Sequence, residues 1–162
     1  KLATSKEELE KNTVDLNLNQ NIKMDFNVLN LTEFRWNPFE STIYGMYHGT
    51  VYIDSDYYLI GTDDQGNKIC YQETGRNGQE TMFRQTIGLY PGYEEISPEA
   101  NTITLQLYEV KNDTAHQVSE EKMDKDPSDD IYEESTVYVY NEGESPTDDA
   151  IPIGDKFTVQ IR

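Results

Sequence analysis

Cysteine is almost absent from this 162-residue chain. Cys70 stands alone, which excludes an intramolecular disulfide and any zinc site built on several cysteines. Histidine occurs twice, as His48 and His116. Bases are scarce as well: 13 Lys and Arg face 31 Asp and Glu, for a net charge of −18. That balance excludes nucleic acid as a partner, because such binding depends on cations that neutralise phosphates. It disfavours anionic membrane surfaces for the same reason. No run approaches the 18 apolar residues that a membrane-crossing helix needs, so no membrane insertion is expected in this fragment. No signal peptide is visible, and the first residue is Lys1 rather than Met. The expectation is a processed or trimmed form of something longer, with any anchor or export signal before Lys1.

What the chain does have is aromatic surface: 12 Tyr, 5 Phe and one Trp. These rings supply apolar area to a sequence whose hydrophobic fraction is only 35%. A chain of this length buries about 70% of its unfolded surface and is of single-domain size. The polar stretch 1–13 reads as a linker or frayed helix, with Ser5 and Glu8 at capping-box spacing but no apolar stripe. Residues 14–162 read as one domain.

From Val14 onward the period is two. Val14, Leu16 and Leu18 alternate with polar neighbours, and Ile22, Met24, Phe26 and Val28 form the cleanest such run, slipping near Leu29. Further strands are expected over 43–53, with a bend or bulge at Gly45 or Gly49, and over 57–60, 68–71, 81–89, 103–107, 137–139 and 157–161. Asp63–Asn67 and Gly75–Gly78 are turn signals, and Pro91-Gly92 fits the centre of a type II turn. Residues 111–150 hold 13 acids against 3 bases, and an acidic loop is expected over 111–134, with a short helical turn near 117–123. Eight or nine short strands without a long helix point to an all-β fold. The expected form is a two-sheet antiparallel sandwich of immunoglobulin-like topology, with an up-and-down barrel as the alternative.

The hairpin turn Asp63-Asp64-Gln65-Gly66-Asn67-Lys68, the strand with Met82 and Phe83, the run Thr102-Ile103-Thr104-Leu105 and the closing Ile151-Pro152-Ile153-Gly154-Asp155-Lys156-Phe157-Thr158-Val159 carry a resemblance. Over roughly 43–162 the chain resembles immunoglobulin-like domains of exported, membrane-anchored, anti-sigma-factor-like proteins of Gram-positive bacteria. The acidic insert departs from that pattern. The resemblance implies an extracellular, cell-surface location and a role in sensing or protein contact, and it carries no catalytic residues.

Catalysis finds little support in the residues. There is no nucleophile elbow, no HExxH and no phosphate-cradling glycine loop. His48 with Cys70 could in principle pair, but a lone cysteine in a strand is ordinarily a buried, inert one. Paired carboxylates decide nothing among 31 acids. The expectation is a non-catalytic binding domain. Two ligand sets are conceivable. Trp36, Tyr44, Tyr47, Tyr52 and Tyr57 could form an aromatic face that stacks on cell-wall glycan or anchors a protein partner. Their plainer role is to fill the core. Asp124, Asp126, Asp129 and Asp130 could hold calcium through hard oxygen ligands. The EF-hand pattern fails there, with Asp129 at the glycine position and Ser135 at the position of the bidentate Glu. Asp54, Asp56, Asp63 and Asp64 form a second acidic set.

Overall fold

A computed structural model describes residues 6–51, 55–86, 91–111, 116–119, 136–139 and 149–162. The chain runs α1 (Lys6–Lys11), β1 (Val14–Lys23), β2 (Asn27–Asn37), β3 (Glu40–Gly49), β4 (Ser55–Asp63), β5 (Lys68–Asn77), β6 (Glu80–Gln85), β7 (Thr102–Lys111), β8 (His116–Ser119), β9 (Thr136–Val139) and β10 (Ile151–Gln160). The all-β expectation holds. The helix α1 is one and a half turns with no buried residue, as its missing apolar stripe requires.

The strands do not divide into two facing sheets. One hydrogen-bonded order, β1-β2-β3-β6-β5-β4-β7-β10, runs through eight of them, and every pairing is antiparallel. Strands β8 and β9 pair separately as a short ribbon. Residues 117–119, expected to open a helical turn, are therefore extended. Strands β4, β5 and β6 form a meander, and β7 returns beside β4, which is Greek-key order rather than simple up-and-down order.

The sheet curls until its two ends meet. A Cβ placed on Gly154 of β10 would lie 3.2 Å from Ile22 Cγ2 of β1. The result is nearly a barrel, with β1 and β10 close at the seam but not hydrogen-bonded to each other. The curl has local causes: register shifts break the ladders at Asn17/Gln20, Leu31/Glu33, Glu73/Gly75 and Ile153/Phe157. Each bulge raises the local twist and bends its strand.

Alternation places Leu29, Ile43, Leu59, Ile69, Phe83 and Leu105 in one buried interior. Gly45 sits opposite the β2 bulge, where a Cβ would press on Leu29 Cδ1 and Leu31 Cδ2 at 3.2 and 3.3 Å. The irregularity expected at a glycine of 43–53 lies instead in the neighbouring strand, between Leu31 and Glu33 of β2, and Gly45 is the residue that faces it. Gly61 is tighter still: a Cβ there would fall 1.7 Å from the Thr104 carbonyl oxygen of β7. A smaller buried group, Tyr58, Cys70 and Val110, occupies the outer face of β4, β5 and β7.

The run read as the cleanest strand is a hairpin. Strand β1 ends at Lys23, and Met24 N–H donates to the Asn27 carbonyl at 2.9 Å. Phe26, an apolar member of the alternating run, lies on the turn and is exposed. Asn27 turns its amide onto the Thr50 carbonyl and pins the turn to the end of β3.

Candidate binding cleft

Because every neighbour in the barrel is antiparallel, strand ends gather at two poles. At one pole β2, β4, β6 and β10 finish and β1, β3, β5 and β7 begin. The segment 91–101 lies across this pole and is tied down by side chains from the β4–β5 turn. Asp63 Oδ1 accepts the Gln65 and Asn67 N–H groups, both at 2.9 Å, and its Oδ2 accepts Ser97 N–H at 2.8 Å. The Asp64 carboxylate accepts Asn101 N–H at 3.1 Å, and Asn67 donates to the Glu95 carbonyl. Ile96 and Ala100 of the segment drop into the interior. Gly92, at φ +87°, takes the conformation its place after Pro91 requires.

Between this segment and the β2–β3 turn lies a cleft of about 1060 Å³, lined among others by Trp36, Phe39, Glu40, Arg84, Glu95 and Arg162. The size is that of a ligand pocket, and a barrel mouth is a recurrent place for one. The turn is preorganised. Asn37 Oδ1 accepts the N–H groups of Phe39 and Glu40, both at 2.9 Å, an Asx-type arrangement. It holds Phe39 outward, 74% exposed. The Arg162 guanidinium lies 6.0 Å from the Trp36 ring centroid and donates to the Pro98 carbonyl. It is held from two sides. Glu40 accepts from Thr42 Oγ1 at 3.2 Å and Tyr44 Oη at 3.5 Å, so its carboxylate is turned onto its own strand. Ser41 at the cleft floor meets the hydroxyl of buried Tyr71 at 2.6 Å.

The opposite pole is filled rather than open. Glu73 faces the interior by alternation from Ile69 and Tyr71, and the Glu73/Gly75 bulge returns Arg76 to the same side. Arg76 reaches Glu73 Oε1 through Nε and Nη2, each at 2.5 Å. Thr81 Oγ1 donates to Glu73 Oε2 at 2.7 Å, and Tyr47 Oη donates to the same oxygen. The guanidinium also lies between two rings, 5.5 Å from Tyr47 and 5.4 Å from Tyr57. It donates to the Ser55 carbonyl at 3.3 Å. Burial, with the Glu73 charge beside it, raises the Tyr47 hydroxyl far above its ordinary range. Burial and the Glu109 charge push Tyr57 up to about 12.

The aromatic face expected from sequence is therefore dispersed. Tyr47 and Tyr57 are buried, 6.3 Å apart and tilted by 50°, and serve the ionic cluster. Tyr44 is half-buried beside Glu40. Trp36 is half-buried in the cleft. Tyr52 lies outside the described residues. So do Asp124, Asp126, Asp129, Asp130 and Asp54. Of the second acidic set, Asp56 is exposed on β4, and Asp63 and Asp64 are occupied in fastening 91–101. Among the described residues no three His, Cys, Asp or Glu side chains gather as metal ligands. Among the same residues no helix is long and apolar enough to cross a membrane. Cys70 is buried, and burial pushes its thiol up to about 11, whereas His48 is exposed on β3, two strands away in the sheet.

Sequence reading missed Phe39, Arg84 and Arg162 at the cleft and the Glu73–Arg76 pair at the other pole. A signal for the first was present: an Asn-Pro-Phe turn places a large apolar ring at a hairpin tip, where turns ordinarily carry polar residues. No protein-family model, curated protein or solved structure matches the chain.

Proposed function

We propose that this chain is a non-catalytic, extracellular cell-surface domain that works by contact with a protein partner through the cleft pole of its barrel. The observation that carries the reading is Phe39: a large ring, 74% exposed, fixed outward by the Asn37 cap beside Trp36 and two arginines. Exposed aromatics and arginines around a concavity are the composition of binding hot spots. A turn backbone ordered before contact loses little entropy on binding. The cell-surface location rests on the turn-and-strand resemblance alone, as does any immunoglobulin-like assignment of the fold. The non-catalytic reading is supported by the protonated, buried state of the Cys70 thiol and its separation from His48.

A second reading has one specific observation in its favour. The cleft pairs Trp36 with amide and charged side chains, a combination suited to glycan. In that form a carbohydrate-binding module would use Trp36 and Phe39 and not the buried tyrosines.

Co-sedimentation with Gram-positive cell walls separates the two. The purified domain is expected to pellet with walls and to stay in the supernatant once surface proteins are stripped by protease. Phe39→Ala is expected to cut pelleting about fivefold or more, the loss of one hot-spot ring. Equal pelleting of the variant removes the cleft from the contact surface. Pelleting that survives protease and yields to soluble glycan fragments selects the second reading.

A further inference from the structure

We infer that the cleft takes an acidic peptide segment of the partner, with a carboxylate on Arg162 and Arg84 and a neighbouring apolar side chain on Phe39. This rests on the protein-contact reading above and adds the chemistry of what is bound. The first support is local charge. Among the lining side chains, Lys11, Arg84 and Arg162 face Glu40 and Glu95, three cations to two acids in a chain that carries −18. Surface charges more than about 8 Å from a docked group are largely screened at physiological salt, which gives the lining side chains the greatest weight.

The second support is the state of Arg162. Its guanidinium is fixed by the Trp36 ring and the Pro98 carbonyl. A planar fork with several donors still unused is suited to a bidentate carboxylate. The same contact, at 6.0 Å, occupies one face of the Trp36 ring, and that face is not open to a sugar ring. Glu40, the acid nearest the turn, is engaged by Thr42 and Tyr44. Phe39 supplies an apolar contact on the same turn, so the cleft asks for an acid and a hydrophobe close together in one segment.

Trp36 is the single tryptophan of the chain, and its emission reports on this cleft alone. The probe is a terminally blocked heptapeptide alternating Glu and Leu, titrated into the intact 162-residue chain. A saturable shift in Trp36 emission is expected. The same peptide with Gln for Glu is expected to bind about tenfold more weakly, the cost of a charge-assisted hydrogen bond. Arg84→Gln, which leaves the Trp36 contact untouched, and Arg162→Gln are each expected to weaken the Glu peptide about tenfold and to leave the Gln peptide unchanged. Retained circular dichroism and melting temperature identify both variants as folded. Equal binding of the two peptides, or no response to the Glu peptide at millimolar concentration, overturns the inference. So does a Trp36 response to soluble wall glycan in place of the peptide. If the peptide fails while wall pelleting still depends on Phe39 and on surface protein, only the acidic segment is wrong. If Phe39→Ala pellets like the parent, the contact reading falls with it.

Discussion

The two poles of this barrel are built from the same kinds of residue and put them to opposite use. Each has aromatic rings, at least one arginine and carboxylates. At the Glu73 pole Arg76 is matched to one carboxylate, packed between two tyrosines and left 19% exposed. At the cleft pole Arg162 stacks on one ring and bonds one backbone carbonyl, and among the described residues no Asp or Glu pairs with it. The difference begins in the backbone. A bulge at Glu73/Gly75 turns Arg76 inward, whereas Arg162 follows the end of β10 and stays at the rim. A matched charge holds the fold together, and an unmatched one is available to a ligand.

Breaking the filled pole should give the largest effect. Arg76→Met leaves Glu73, 7% exposed, without its cation. Stranding a buried charge costs about 3–5 kcal/mol. Because Arg76 retains some solvent contact, about 3 kcal/mol is expected, read as a drop in the urea midpoint. The double variant Glu73→Leu with Arg76→Met should recover at least half of that loss, since no charge is then buried unpaired. A double variant no better than the single would mean that the pair contributes through packing alone.

The cleft pole should respond less and more locally. Asp63→Ala removes the acceptor of three backbone N–H groups and unties Ser97 from the β4–β5 turn. About 2 kcal/mol is expected, with water replacing part of what is lost at this wet end. The distinguishing readout is amide exchange. Residues 91–101 should lose protection before the barrel strands do. Uniform loss across the sheet would show that this segment is part of the global folding unit, not a separately fastened wall.

How much of this was legible follows the same division. Strand positions with one wet face, such as 103–107 and 157–161, were read correctly because period two is local information. The hairpin at Met24–Phe26 was not, since the turn carries the same apolar–polar alternation through it, with Phe26 pointing into solvent. Nor could alternation distinguish one curled sheet from two flat ones. That depends on bulges, whose marks in the sequence are indirect: the slip near Leu29 and the glycines at or opposite them, Gly45, Gly75 and Gly154. Alternation leaves the tyrosines as either core or binding face, and Tyr47 and Tyr57 are core. What redirected them was Arg76, placed inward by a bulge that spacing does not announce. Asp63 and Asp64 looked like cation ligands because acid density is a property of composition. Their actual partners are backbone N–H groups up to 37 residues away.

The smallest effect separates the poles by pH. Four buried groups have raised proton affinity in the fold: Cys70 at about 11 against an ordinary 9.0, Tyr57 at about 12 against 10.0, and Tyr47 and Tyr71 higher still, each mainly through burial. A raised pKa means that the folded state keeps its proton where the unfolded state has lost it. Stability is therefore intact below pH 9 and falls as pH rises, first through the Cys70 window of 9 to 11 and then through the Tyr57 window of 10 to 12. Self-repulsion of a chain at −18 adds to the loss in the same direction, so parent and variant must be compared at each pH. Cys70→Ala should flatten the urea midpoint between pH 9 and 10, and Tyr57→Phe should flatten it above 10. Phe39→Ala removes an exposed ring and no titrating group, and it should track the parent throughout. A Tyr57→Phe protein that loses stability as steeply as the parent would show that the ring, and not its hydroxyl, is what the filled pole requires.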